Sequence, residues 1–258
     1  MIKFPSWVFR GLYRYLDKLD KDQQLVFMNF GYTEPGKVID LEGKDEINRY
    51  CIQLYHHIAE MVDLKDRKIV EVGSGRGGGL AYVCRNFHPI SSTGVDIEKS
   101  AVAFSNRMFG NERLQYIVGN AVKLPLADGD YDIVMNVESS HRYLSLSSFA
   151  GEVYRILKPE GYFLFTDFRT DYQWTDVKSV FQDARFKVLK ETDITDNVLN
   201  ALEKDSGRRE MMVNRYAPKV LRNSILNFTG AKGTATYENF LTREFVYRSF
   251  ILRKDKAE

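Results

Sequence analysis

His141 and Asp167 are the residues whose types and placing invite chemistry, because each lies at the end of an apolar run of strand character, Tyr131 to Val137 and Gly161 to Asp167. Such runs, alternating with helical patterns, build a parallel sheet, and ligands of open parallel sheets gather at the carboxyl ends of the strands. Two titratable groups at neighbouring strand ends therefore converge over one pocket. A neutral imidazole, with an ordinary pKa of about 6.5, is suited to take a proton near neutral pH. A carboxylate beside it can orient the ring or share the proton. Glu138 is a weaker third candidate because it lies nearer the strand itself. The plainer reading of His141 is that it only closes the loop before Ser145.

A second chemistry-bearing stretch runs from Ile69 to Leu80, with Gly73, Gly75 and Gly77 between a strand-like run and a resuming helical pattern. Strand, glycine loop and helix together read as a nucleotide-binding turn: the backbone must turn tightly and come close to a ligand, and the helix N-terminus offers free N–H groups. Asp96 ends the next strand candidate, Ser92 to Asp96. A carboxylate there can accept hydrogen bonds from ribose hydroxyls, as in other nucleoside-binding folds; a helix N-cap or solvated turn is the alternative. Asn120-Ala121 follows the third strand candidate, Leu114 to Val118, where an amide could face an adenine edge.

The elements that must hold these residues are legible in outline. Residues 4 to 19 mix Phe4, Trp7, Phe9, Tyr13 and Leu16 with Arg10, Arg14 and Lys18. The expectation is a helix packed over the glycine loop at a substrate mouth; a helix lying on a membrane is the rival. A second helix is predicted from about Glu46 to Val62, with His56 and His57 as packing or surface histidines, since no partner at ligand spacing accompanies them. No metal site is expected. The helix after Ser145 is stopped by Lys158-Pro159-Glu160-Gly161. Beyond a strand at Phe186 to Lys190, Thr195 is predicted to N-cap a helix, and a second helix restarts near Pro218. Lys204 to Arg209 fall between the two, with Arg208-Arg209 as a solvated pair or a holder of an anionic acceptor. A final antiparallel strand is read within Tyr237 to Leu252. The fold class is thus α/β, as one domain: N-terminal helices over 1–65, a cofactor-binding core over 66–190, a helical cap over 191–235 and the last strand over 236–258.

Composition narrows the partners. The 258 residues carry 37 Lys and Arg against 35 Asp and Glu, a formal charge of +2. That balance is too mild for a concentrated phosphate-tracking face, so no nucleic-acid partner is expected. Cys51 and Cys84 give neither zinc spacing nor a disulfide framework, and no apolar run approaches a membrane span. A reduced, cytoplasmic protein is the expectation, with a homodimer left open.

With these motifs in place, the sequence resembles the class I S-adenosylmethionine-dependent methyltransferases, with their Rossmann-like sheet. Glu71-Val72-Gly73-Ser74-Gly75-Arg76-Gly77 matches the family's first motif, and Asp96-Ile97 its ribose position. Gly119-Asn120-Ala121 with Leu124-Pro125-Leu126, Asp130 to Val134, and Leu157 to Tyr162 complete the order over about half of the chain. One departure is Asn120, where many relatives have Asp. The resemblance implies S-adenosylmethionine as cofactor, held by Glu71, Gly73, Gly75, Gly77, Asp96, Ile97, Asn120 and Ala121. A narrower likeness, in Tyr55-His56, Gly77 to Gly79, Asn136 to His141 and Asp193 to Arg248, is to bacterial O-methyltransferases of lipids and secondary metabolites, including the mycobacterial phthiotriolone group. It implies a small-molecule acceptor that is lipid-like, polyketide or sugar-bearing; the histidine after the fourth strand and the aspartate after the fifth are also similar to sugar O-methyltransferases of natural-product pathways, which implies His141 as general base and Asp167 as second acid-base or orienting group. The alternatives are C- or N-methylation, a dehydrogenase, for which the hydride machinery is missing, and a non-catalytic cofactor-binding subunit.

Overall fold

A computed structural model of the protein describes residues 25–255. The expected helix at residues 4–19 lies outside them. Seven strands form one sheet in the order β3-β2-β1-β4-β5-β7-β6, from β1 (Lys68–Val72), β2 (Ser91–Asp96), β3 (Leu114–Val118), β4 (Tyr131–Val137), β5 (Leu157–Arg169), β6 (Phe186–Asp193) and β7 (Val246–Lys254). The first five pair in parallel, and β7 runs antiparallel between β5 and β6. Helices cover both faces: α1 (Arg49–Ala59), α2 (Gly78–Phe87), α3 (Lys99–Phe109), α4 (Leu146–Ile156), α5 (Asp171–Asp183), α6 (Thr195–Tyr216), α7 (Arg222–Thr229) and α8 (Ala235–Leu241). The sheet reverses its order of winding between β1 and β4, the place where such folds open a crevice for ligands.

Burial on both faces explains why β1, β4 and the second half of β5 read as almost continuous apolar runs. Alternate residues divide between two cores. Ile69, Ile133, Met135 and Leu164 join Ile52, Leu54 and Leu80 of α1 and α2. Val70, Val72, Val134, Phe163 and Phe165 join Phe149, Val153, Trp174 and Phe181 of α4 and α5. Ser145 caps α4, its hydroxyl accepting from Ser148 N at 3.1 Å.

Four local expectations are corrected. Strand β5 begins at Leu157, opposite Tyr131, and not at Gly161; a register shift between Tyr131 and Ile133 absorbs Pro159 and Glu160, whose φ is 63°. Proline cannot donate to a ladder, so its presence reads as a stop where the strand only bulges. Thr195 is the first residue of α6 and caps nothing: its hydroxyl donates to Asp193 Oδ1 at 2.6 Å and accepts from Tyr247 N at 2.9 Å. Helix α6 runs unbroken through residues 204–212 because Arg208 and Arg209 both pair with buried Asp205, three and four positions back, the spacing at which helical side chains meet. That pair is therefore no solvated face: Arg209 is 7% exposed and donates to the carbonyls of Phe30 and Thr229. Finally, residues 235–241 form α8, so the last strand starts at Val246 and not at residue 236.

His56 and His57 pack as expected, the first against the Tyr82 hydroxyl at 2.8 Å and the second stacked on Tyr32 at 4.3 Å.

Candidate active site

The glycine turn is built for close approach. Gly73, Gly75 and Gly77 all adopt left-handed φ values, 79°, 53° and 81°. A side chain at Gly73 would lie 2.3 Å from Ser139 Oγ and 2.6 Å from the Tyr143 hydroxyl. Those two hydroxyls belong to a polar cluster at the ends of β1 and β4, where Asn136 Nδ2 donates to Val72 O at 2.8 Å and to Ser139 Oγ at 2.8 Å. From the N-terminal side of the described residues, Val26 O accepts from Gly78 N at 3.3 Å, so the segment at Val26 lies against the start of α2.

Two acids flank the turn. Glu71 is fully buried in β1; its Oε1 accepts from the Tyr55 hydroxyl at 2.7 Å, while its Oε2 finds no donor among the described residues. Burial pushes its carboxyl up to about 8, against the pull of the Tyr55 bond. Tyr55 comes from α1 and fits because Gly79 has no side chain: a Cβ there would meet its ring at 1.9 Å. Asp96 accepts from Gly75 N at 2.8 Å and from Glu98 N at 2.9 Å, which leaves lone pairs on both oxygens for further donors. Ile97 beside it is 62% exposed. Asn120 is exposed and folds back on its own loop, its Oδ1 accepting from Val122 N at 3.1 Å, with Ala121 half-buried next to it; Gly119 N ties that loop to Asp96 O at 3.0 Å.

His141 and Asp167 meet at the ends of β4 and β5. His141 Nδ1 lies 2.8 Å from Asp167 Oδ1. The same carboxylate accepts from Ser140 Oγ at 2.6 Å, His141 N at 3.0 Å and Phe168 N at 2.9 Å, and pairs with Arg169 at 3.0 Å. Burial alone would raise the Asp167 pKa, but Arg169, His141 and Ser140 outweigh it and hold the carboxyl well below the usual range. It is thus an anion that fixes the imidazole with Nδ1 as donor. Burial lowers the His141 pKa, the Asp167 charge opposing, so the ring is neutral and offers Nε2 as acceptor. Phe168 packs on the ring, centroids 4.7 Å apart. Glu138, at φ 49°, turns elsewhere: its Oε2 accepts from Phe30 N at 2.8 Å and the Tyr247 hydroxyl at 2.9 Å, strapping residues near 30 to the sheet.

Tyr55 and Arg169 were not singled out as site residues from the sequence, and Ser140 only as a neighbour of His141 after the fourth strand. Arg169 carried a signal, since it stands two positions after Asp167 on one strand and so shares its face. Tyr55 carried none that spacing could reveal; its place depends on the packing of α1 over α2.

A family model for a methyltransferase domain matches residues 70–165. A fatty-acid O-methyltransferase of Mycolicibacterium smegmatis is 38% identical over 98% of this chain and 92% of its own length. A phthiotriol/phenolphthiotriol dimycocerosates methyltransferase of Mycobacterium tuberculosis is 32% identical over 96% of this chain and 92% of its own. The chain belongs to the class I S-adenosylmethionine-dependent methyltransferases. A geranyl diphosphate C-methyltransferase of Streptomyces coelicolor, solved with S-adenosylhomocysteine, aligns with the enzyme at a TM-score of 0.65 and 16% identity, covering 93% of this chain and 98% of that one. That likeness is one of fold.

The methyltransferase's own residues fit the cofactor. Glu71 Oε2 is a buried acceptor waiting for a donor, which suits the ammonium end of S-adenosylmethionine. Asp96 retains acceptor capacity for ribose hydroxyls, and exposed Ile97 offers an apolar face for the base. Asp96→Ala is expected to weaken S-adenosylhomocysteine binding by about 1.5–3 kcal/mol, the scale of a hydrogen bond to a charged group, in calorimetry. Unchanged affinity would remove Asp96 from the site.

Glu138 gives a pH test of the strap. Burial raises its carboxyl to about 8, above the usual value near 4.3. A raised folded pKa contributes stability that is fully present below the unfolded pKa and is lost as pH rises through the folded one. Melting temperature should therefore decline between about pH 5 and 8, and Glu138→Gln, which keeps the two acceptor contacts, should flatten that decline. An equal slope in both proteins would contradict the assignment.

Proposed function

We propose that this methyltransferase methylates an oxygen of a lipid-like acceptor, with His141 as general base and Asp167 as the residue that orients it. The observation that carries this reading is the 2.8 Å contact between His141 Nδ1 and the buried Asp167 carboxylate, which directs Nε2 as a proton acceptor at the carboxyl edge of the sheet. The bound sulfonium cofactor supplies an electrophilic methyl group. The residues then have to align the acceptor oxygen and relieve it of its proton as the new bond forms. Asp167 does not exchange that proton; it stabilises the imidazolium that results. Phe168 excludes water from one face of the ring.

The acceptor class draws support from the relatives, whose names specify a fatty acid and dimycocerosate lipids. Helices α6 to α8 and the turn before them serve as the cover over the acceptor, for Phe228 of α7 lies against Arg142 beside the base. Among the described residues no helix is long and apolar enough to cross a membrane, and both cysteines are buried and unpaired; we place the enzyme in a reducing cytoplasm. The test is turnover of the cofactor to S-adenosylhomocysteine with a panel of fatty acids, fatty alcohols and lipid phenols. Release with one of these classes supports the reading. Binding of S-adenosylhomocysteine without turnover on any of them would overturn it.

A further inference from the structure

Helix α7 (Arg222–Thr229) and the 3-10 turn before it (Lys219–Leu221) contain no buried residue. A helix of a globular protein ordinarily sinks an apolar stripe into the core, but Ile225, Leu226 and Phe228 are only half-buried. The turn goes further. Val220 is 90% exposed and Leu221 48%, two adjacent large apolar side chains held outward on the cap. Scattered exposed residues of this kind need no explanation; a neighbouring pair continued by a helix without a core does.

The charge on this segment has one sign. From Met211 to Thr234 the sequence carries Arg215, Lys219, Arg222 and Lys232 and neither Asp nor Glu, although the whole chain is nearly balanced. Lys232 pairs with Glu203. Arg222 donates to the carbonyls of Asn214 at 2.7 Å and Ala217 at 3.3 Å, bonds that hold the guanidinium in place without neutralising it. Lys219 is exposed next to Val220. Cations thus bracket the apolar turn. The segment also lies beside the base: Phe228 packs on the Arg142 guanidinium at 5.1 Å, and Arg142 Nε donates to His141 Nε2 at 3.1 Å. Leu144, 95% exposed, stands two residues after Arg142.

We propose that the turn at Lys219–Leu221 and helix α7 dock on the surface of an anionic lipid bilayer. Val220 and Leu221 enter the boundary between headgroups and acyl chains while Lys219 and Arg222 meet the phosphates, the combination by which amphipathic segments bind membrane surfaces. A protein partner fits less well, a second copy included. A stable protein interface buries about 1,200 Å² or more of matched surface, of which Leu144, Val220 and Leu221 supply only a small part. A bilayer demands no matched shape. As a route by which a lipid-like acceptor reaches His141, this rests on the acceptor class proposed above; the docking itself does not.

The test is flotation with vesicles and uses no acceptor, so its outcome is separate from turnover. Wild-type protein is floated with vesicles of phosphatidylcholine alone and of phosphatidylcholine with a quarter phosphatidylglycerol, in low and in high salt. Two variants accompany it, the first Val220→Asp with Leu221→Asp and the second Lys219→Gln with Arg222→Gln, each shown to be folded by circular dichroism and S-adenosylhomocysteine binding. Wild type should bind the anionic vesicles at least tenfold more strongly than the neutral ones and lose that preference in high salt, which screens exposed charges. The first variant should lose at least tenfold in partitioning to the anionic vesicles, and the second at least threefold. Wild type left in the soluble fraction with anionic vesicles, or partitioning undiminished in the first variant, would overturn the proposal. So would a wild-type dimer, seen by sedimentation, that falls to monomer in the first variant, since the face then belongs to a second copy. A wrong acceptor class would show instead as absent turnover of fatty acids, fatty alcohols and lipid phenols with the flotation pattern intact.

Discussion

His141→Ala is expected to lower kcat by about 10²- to 10⁴-fold, the usual span for losing a general base, with S-adenosylhomocysteine affinity unchanged. The separation follows from the site's layout: the imidazole bonds to Asp167 and Arg142, whereas Glu71, the glycine turn and Asp96 form a different cluster. The wild-type rate should also carry an acid limb. Burial lowers the His141 pKa, so the neutral ring persists to below the ordinary value of about 6.5, and kcat falls only as pH drops under that lowered value. His141→Ala should erase this limb along with the rate. Wild-type kcat in the variant would transfer the role to Asp167 or to simple alignment of the acceptor.

Asp167→Ala is expected to destabilise the protein by about 3–5 kcal/mol, the range for removing one member of a buried ion pair, as read from urea unfolding. The carboxylate is fully buried and serves Ser140, His141, Phe168 and Arg169 at once. Without it the Arg169 guanidinium, 8% exposed, keeps its charge in the interior with Ser140 and the Phe168 carbonyl as its remaining partners. The pH dependence has a definite sign. A carboxyl depressed on folding contributes stability that is present above the unfolded pKa of about 3.9 and is lost as pH falls toward the folded one. Wild type and variant should therefore converge in stability only in strong acid. A loss under about 1 kcal/mol would mean that solvent or relaxation replaces the network.

The fold was legible where local chemistry and the global arrangement agree. The apolar runs of β1, β3 and β4, the glycine turn and the proline-marked end of α4 each carry their own signal, and the antiparallel last strand could be read from Phe245 to Leu252. The misread places are those where one residue type serves two geometries. Pro159 looks like a stop yet sits in a bulge of β5, and the charges at residues 204–209 look like a loop yet pair within α6. In the site, His141 and Asp167 were legible as strand-end residues because topology alone brings strand ends together. Tyr55 on Glu71 and Arg142 on Nε2 were not, since the first depends on how α1 crosses α2 and the second on the rotation of one exposed side chain. Glu138 was legible as a strand-end acid, but its left-handed backbone sends the carboxyl to Phe30 and Tyr247.

The most direct test of oxygen methylation at the His141–Asp167 dyad uses S-adenosylmethionine labelled with carbon-13 in the methyl group. Wild-type enzyme is incubated with it and, in separate reactions, a fatty acid, a fatty alcohol and a lipid phenol, the last two carrying a hydroxyl proton for the base to take, and the purified product is examined by nuclear magnetic resonance and mass spectrometry. The predicted result is a labelled methyl bonded to oxygen, formed in wild type and lost in parallel with kcat in His141→Ala. A label found on carbon or nitrogen, or no labelled product from an enzyme that binds S-adenosylhomocysteine, would contradict it.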